Sequence, residues 1–186
     1  MSGVIQKVKN GLQVCREFGV ESFFKRVDNK KYHRVPDLET IRSVHLVGEE
    51  ELERQRQREF ENPVKFSIIT PLYNTPREFL TELLESLEKQ TYANWELCLA
   101  DGSDEEHAYV GEICRERAQR DGRIRYHVLE ENRGISENTN ECIKLATGDY
   151  FGLLDHDDVL HPSALYEVMR AVEEQGAEFI YTDEVK

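Results

Sequence analysis

The chain has 186 residues, 39% of them apolar, and a formal net charge of −13. That length and apolar content allow one packed domain with an appendage, and the acidic balance argues against a nucleic-acid partner held through phosphate contacts. There is no signal-peptide pattern and no apolar run of about 18 residues, so no membrane span is expected.

The charge is unevenly spread. Residues 1–34 carry eight Lys or Arg against three Asp or Glu, a basic leader on an acidic body. The expected division is a helical N-terminal extension and linker over 1–62, then an α/β domain over 63–186. Val4, Val8, Leu12 and Cys15 recur at helical spacing. This leader reads either as a helical pair packing on the domain or a partner, a second copy included, or as a basic amphipathic segment on an anionic membrane face. Glu49–Glu61 is charged and free of Gly and Pro, and is expected as a solvated helix ended by Asn62-Pro63.

From Val64 the rhythm alternates. Strands are expected at Val64–Thr70, Trp95–Ala100, Ile124–Leu129, Tyr150–Leu154 and Phe179–Thr182. Helices are expected at Arg77–Lys89, Glu106–Arg120, Ser136–Ala146 and Pro162–Gln175, the last opened by its proline. This alternation predicts a mostly parallel sheet covered by helices on both faces. Trp95 is expected to anchor the second strand in the core. Cys15, Cys98, Cys114 and Cys142 have neither zinc nor disulfide spacing and read as reduced thiols. His33, His45, His107, His127 and His161 read as surface or packing residues.

Polar residues follow every strand: Pro71-Leu72-Tyr73-Asn74, Asp101-Gly102-Ser103-Asp104, Glu130 to Gly134, Asp155-His156-Asp157-Asp158, and Asp183-Glu184. Ligands of open α/β sheets bind at the carboxyl ends of the strands. Each loop alone could be a turn or a helix cap; together they form a rim of carboxylates. No GxGxxG follows the first strand and there is no GxxxxGK[ST], so neither a dinucleotide fold of that kind nor a P-loop is expected. The run from Asp155 lacks the glycine of an EF-hand, having Val159 and Leu160 at its fifth and sixth positions. An apolar strand ending on Asp155, Asp157 and Asp158 crowds like charges, which points to a hard divalent cation shared with a diphosphate; the bland reading is a helix cap.

Four stretches carry a resemblance: FSIITPLYNT, LESLEKQTYANWELCLADGSDE, ENRGISENTNECIKLATGDYFGLLDHDD and VLHPSAL. From about Val64 to its end the chain resembles the nucleotide-binding half of family 2 glycosyltransferases, which have the GT-A fold. The branch it most resembles builds bacterial surface polysaccharides, rhamnose-containing ones among them. The resemblance implies a nucleoside-diphosphate sugar donor of UDP or dTDP type, a Mn or Mg ion, and a glycan or lipid-linked acceptor. The reduced thiols point to a cytoplasmic protein, peripheral on the inner membrane face if the leader meets lipid. Pro71, Tyr73 and Asn74 match the loop lining the nucleoside pocket. Asp101 matches the carboxylate that accepts from a pyrimidine base, and Arg133, with Asn132 and Gly134, the loop beside base and ribose. Asn140 matches the Asn of an Ala-Arg-Asn run. Asp155 matches the ribose-side acid and Asp157 the metal ligand of a DXD motif, with His156 and Asp158 beside them.

The sequence departs from the family pattern at Ala100, where many members have a second Asp, and at Thr139, where Arg is common. Family members invert the anomeric centre with a general base in the acceptor half, past the fifth strand, and Lys186 precedes any match to it. The expectation is therefore a donor-binding part that transfers sugar poorly by itself. The rival readings are a non-catalytic nucleotide-sugar-binding module and a scaffold that binds neither nucleotide nor sugar.

Overall fold

Two nearly continuous apolar runs make the centre of a sheet. In a computed structural model, which describes residues 47–181, β1 (Phe66–Leu72) and β2 (Trp95–Asp101) pair in parallel, and all but one of their residues are buried. A strand buried on both faces belongs inside a parallel sheet. β3 (Ile124–Val128) adds in parallel outside β2, and β4 (Tyr150–Leu153) adds in parallel outside β1. The strand order is β3-β2-β1-β4. The chain steps outward from β1 to β3, then returns to the other side of β1.

The helices are α1 (Glu49–Gln57), α2 (Arg77–Glu88), α3 (Tyr109–Arg120), α4 (Ile135–Leu145) and α5 (Ala164–Gln175). Strand alternation sorts the core into two layers. Phe66, Ile68 and Leu72 of β1 and Leu97 and Leu99 of β2 pack with Leu80, Leu83, Leu84 and Leu87 of α2, with Val110 and Cys114 of α3, and with Leu165, Tyr166 and Met169 of α5. Ile69, Cys98 and Ala100 point the other way and pack with Cys142 of α4. Each fully buried leucine contributes roughly 1.5–3 kcal/mol. The expected α/β architecture, a parallel sheet with helices on both faces, is what these residues build. Trp95 is 1% exposed and sits in the core, with the Arg123 guanidinium 3.8 Å from its ring centroid.

Several details differ from expectation. The charged helix ends at Gln57, and it is not solvated all round: Leu52 and Gln55 are buried, and the Thr91 hydroxyl donates to Gln55 Oε1 at 2.9 Å. Glu105–His107 is a separate 3₁₀ turn ahead of α3. α5 begins at Ala164, past Pro162; its Leu165 N–H donates to Gln90 Oε1, so the cap comes from the end of α2. Phe179–Tyr181 forms no strand, and Phe179 is 84% exposed. A strand needs a partner as well as a pattern, and these residues have none among the described ones. The leader up to residue 46, with Cys15, His33 and His45, lies outside the described residues, as do Thr182, Asp183 and Glu184.

Candidate functional site

All four strands are parallel, so their carboxyl ends share one edge of the sheet. Leu72 of β1 lies opposite Asp101 of β2, and Asp101 lies opposite Val128 of β3. Leu153 of β4 lies opposite Ile69, and Asp155 follows two residues on, past the end of this pairing. Strand order reverses between β1 and β4, and that is where open α/β sheets bind ligands.

The first two loops are stitched together. Asn74 has φ +51°, in the left-handed region that Asn tolerates better than most residues. Its backbone N–H donates to Ser103 Oγ at 2.9 Å and its Nδ2 to Asp104 Oδ2 at 2.8 Å. The Asp104 N–H returns a bond to Asn74 Oδ1 at 3.1 Å. Asp104 also accepts from the Glu106 and His107 backbone N–H groups, capping the 3₁₀ turn. The His107 ring 2.7 Å away, and then Asn74, hold the Asp104 carboxyl below its ordinary range. Asn74 is thus fully engaged in holding the loop, while Tyr73 beside it is 47% exposed.

Asp101 is the centre of this edge. It is 5% exposed, accepts from the Ser103 N–H through Oδ1 at 2.9 Å, and accepts from the Tyr126 hydroxyl through Oδ2 at 2.6 Å. The third loop closes against the second at Gly102, where a Cβ would lie 3.1 Å from Asn132 Cα and 3.3 Å from Asn138 Nδ2. Asn138, 3% exposed, donates to Asn132 Oδ1 at 2.9 Å and accepts from the Arg133 N–H at 3.3 Å. Asn132 Oδ1 also accepts from the Gly134 N–H, and Gly134 takes a positive φ of +88°. One buried amide therefore shapes the whole turn. Among the described residues the Arg133 side chain pairs with Glu131 alone, both exposed, a contact worth little in water.

The structure therefore brings Pro71, Tyr73, Asn74, Asp101 and the Arg133 loop to one edge. Asn140 does not join them. It is exposed, two residues from both Asn138 and Cys142, whose face meets the sheet, and two residues is about 200° around a helix. A cavity of about 290 Å³ lies beside β3 and α4, lined by His127, Glu130, Glu131, Arg133, Glu137 and Glu141 among others; neither Asp101 nor Asp157 lines it.

Asp155, Asp157 and Asp158 are all exposed, and the strand before them is half open: Phe151 is 56% and Leu153 77% exposed. This corrects the charge-crowding argument, because water already screens these carboxylates. Among the described residues no group of three or more His, Cys, Asp or Glu side chains is assembled for a metal. A small hard cation does not need one: it is commonly held by one or two carboxylates, substrate phosphates and water. The donor set fits that shared kind of site.

Sequence reasoning passed over Tyr126 and Asn138. Asn138 carried a signal, a polar residue four positions before buried Cys142 on the apolar stripe of α4. Tyr126 carried none, since only the pairing of β2 with β3 brings it to Asp101. The three described cysteines are free and buried. Burial pushes their thiols up, to about 12 for Cys98 and Cys114 and about 11 for Cys142, so they are not nucleophiles.

Comparison with known proteins bears on the family and the fold. The family model described as Glycosyl transferase family 2 matches residues 67–183. The O-antigen biosynthesis protein RfbC of Myxococcus xanthus is 35% identical over 63% of this chain and 9% of its own length. Glycosyltransferase GlyG of Streptococcus pneumoniae is 32% identical over 61% of this chain and 37% of its own. The chain thus spans well under half the length of these relatives. Among solved structures, S. aureus TarS 1-349 in complex with UDP-GlcNAc superimposes with a TM-score of 0.52 at 28% identity, covering 60% of this chain and 32% of that one. The mannosyltransferase PcManGT of Pyrobaculum calidifontis shares the fold, with a TM-score of 0.50 at 18% identity over 67% of this chain and 38% of that one. With its parallel sheet, its converging carboxyl-edge loops and a family match over most of its length, the chain belongs to glycosyl transferase family 2.

Proposed function

We propose that the chain is the donor-binding part of an inverting, metal-dependent glycosyltransferase that takes a UDP- or dTDP-sugar and serves cell-surface polysaccharide synthesis from the cytoplasm. The observation that carries this reading is Asp101, a buried carboxylate fixed by two donors at the centre of the carboxyl edge. In a relative of 28% identity crystallised with UDP and with UDP-GlcNAc, the same fold holds such a ligand. The likeness to an O-antigen biosynthesis protein supports the polysaccharide assignment.

Each residue then has a task. Asp101 accepts the N–H of a pyrimidine base. Tyr73, exposed beside it, offers an aromatic face to the nucleoside. Pro71 sets the floor of the loop between β2 and β4. The Arg133 guanidinium, with only an exposed partner to give up, swings to the nucleotide. Asp155 would take the ribose side, and Asp157 would hold Mg or Mn beside the diphosphate. When bound, that ion supplies positive charge against the negative charge that develops on the departing diphosphate. Asn140 is left without a ligand contact. The general base is assigned to no residue of this chain, and the acceptor, a glycan or lipid-linked one, meets residues other than those placed here.

Calorimetry with UDP and dTDP, with and without Mn2+, tests the reading. Manganese-dependent binding that is lost in Asp157→Ala is expected. Binding of neither nucleotide, with Asp157→Ala indistinguishable from the parent chain, refutes it and leaves the scaffold reading.

A further inference from the structure

The reading of Asp101 leaves open what makes it a selective partner for one base. A carboxylate on a surface loop turns freely about its last torsion, which is broad and two-fold. Asp101 is held from two sides: the Ser103 N–H takes Oδ1, and the Tyr126 hydroxyl takes Oδ2 from the neighbouring strand at 2.6 Å. Tyr126 pairs with Leu99 and so stands diagonally behind Asp101 on the same face of the sheet. A carboxylate accepting two bonds still has lone pairs for a third donor.

A second, independent feature points to the same contact. Gly111 is the third residue of α3 and is buried. Glycine is a poor helix former, second only to proline, so its buried place in this first turn needs a reason. A Cβ at Gly111 would come 2.6 Å from the Tyr126 hydroxyl oxygen, its other near neighbours being the flexible tip of Arg115 at 3.2–3.3 Å. The missing side chain is the space the phenol occupies on its way to Asp101. Burial, then the hydrogen bond and charge of Asp101, push the Tyr126 phenol well above its ordinary range, so it remains a donor.

We infer that Tyr126 is a positioning residue for base recognition: seated over Gly111, its hydroxyl fixes the Asp101 carboxylate so that the site selects a base with an N–H at ring position 3, as uracil and thymine have and cytosine lacks. This rests on the nucleotide-binding reading given above. A tyrosine serving folding alone would weaken every ligand equally when changed. A positioning tyrosine acts on the base and not on the diphosphate.

Calorimetry on the full chain with Mn2+ and three probes, UDP, CDP and inorganic pyrophosphate, separates these cases. Tyr126→Phe is expected to bind UDP about tenfold more weakly, to bind pyrophosphate unchanged, and to lose most of the preference for UDP over CDP. Gly111→Ala is expected to do the same by displacing the hydroxyl, and to add nothing in the double variant; it carries the test if Tyr126→Phe fails to fold. A parental UDP-to-CDP ratio in Tyr126→Phe, or equal losses of UDP and pyrophosphate, overturns the inference alone, provided the parent binds UDP and Asp101→Asn does not. A parent chain that binds no UDP overturns the nucleotide reading and the inference with it.

Discussion

Glu96 shows how a single side chain can hold the end of the sheet opposite the site. It is the second residue of β2 and 1% exposed. Lys65 Nζ lies 2.6 Å from it, Arg125 Nε 2.9 Å, and Ser67 Oγ 2.7 Å, while the Thr147 backbone and hydroxyl also donate to it. Burial pushes its carboxyl up, but the bonds from Lys65, Ser67 and Thr147 outweigh burial and bring it down to about 2. An unfolded glutamate titrates near ~4.3. The folded form therefore gains stability above that pH, and the gain is lost as pH falls from there toward about 2. Urea unfolding from pH 7 down to pH 2.5 is expected to show a steeper acid loss in the parent than in Glu96→Gln. At pH 7 the variant is expected to be less stable by about 2–3 kcal/mol, because two basic groups and two hydroxyl donors lose a charged partner. A charged residue inside WELCLA was the visible sign of this cluster; its partners from β1, β3 and the turn before β4 were not readable from spacing.

At the scale of elements, two connections position the loop that carries Asp155 and Asp157. Before β4, Gly148 lets the chain cross β1 closely: a Cβ there would meet the Lys65 carbonyl oxygen at 2.6 Å and the Ser67 nitrogen at 2.9 Å. Both are backbone atoms that cannot swing aside, so Gly148→Ala is expected to cost at least about 2 kcal/mol in thermal or urea unfolding. After β4, Gln90 ties the loop to α2, donating to the His161 carbonyl at 2.8 Å and accepting from Leu165 N–H at 3.1 Å. Gln90→Ala is expected to lower stability by about 1–2 kcal/mol, the cost of a lost cap, and to weaken manganese-dependent UDP binding. β1, β2 and the leucine stripe of α2 were legible because burial on both faces, or on one helical face, writes itself as period. β4 has apolar residues at Phe151 and Leu153 that the fold leaves exposed; whether a strand has a neighbour is a property of the fold, and no periodicity encodes it. The same gap explains Phe179–Tyr181, whose pattern promised a strand, and Pro162, whose cap role fell instead to Gln90, just past the end of α2.

For the molecule as a whole, the described residues leave two edge strands, β3 and β4. β4 pairs with β1, and Phe151 and Leu153 stand exposed on the same face as Ile69, outside the cluster that Ile69 forms with Cys142 of α4. An exposed apolar edge strand invites pairing between copies. Leu153→Lys is therefore expected to reduce concentration-dependent light scattering while leaving the thermal midpoint within a degree or two. The net charge of −13 keeps this association weakest at low salt, where like-charged copies repel most. That negative field also opposes a free diphosphate, which gives the proposed cation its purpose: it lets an acidic edge accept an anionic ligand. The placement of the strand-end loops was legible in the sequence, and the family resemblance named most of the residues; the hydrogen bonds that decide which carboxylates are fixed and which are free came only with the packed sheet. The most direct test of the central claim is a crystal of this chain grown with UDP and Mn2+, with the manganese located by its anomalous signal. The account predicts manganese on Asp157 bridging the diphosphate, with the uracil N3–H on Asp101. Manganese elsewhere, or a base lodged in the cavity beside β3 and α4 with Asp101 untouched, would contradict it.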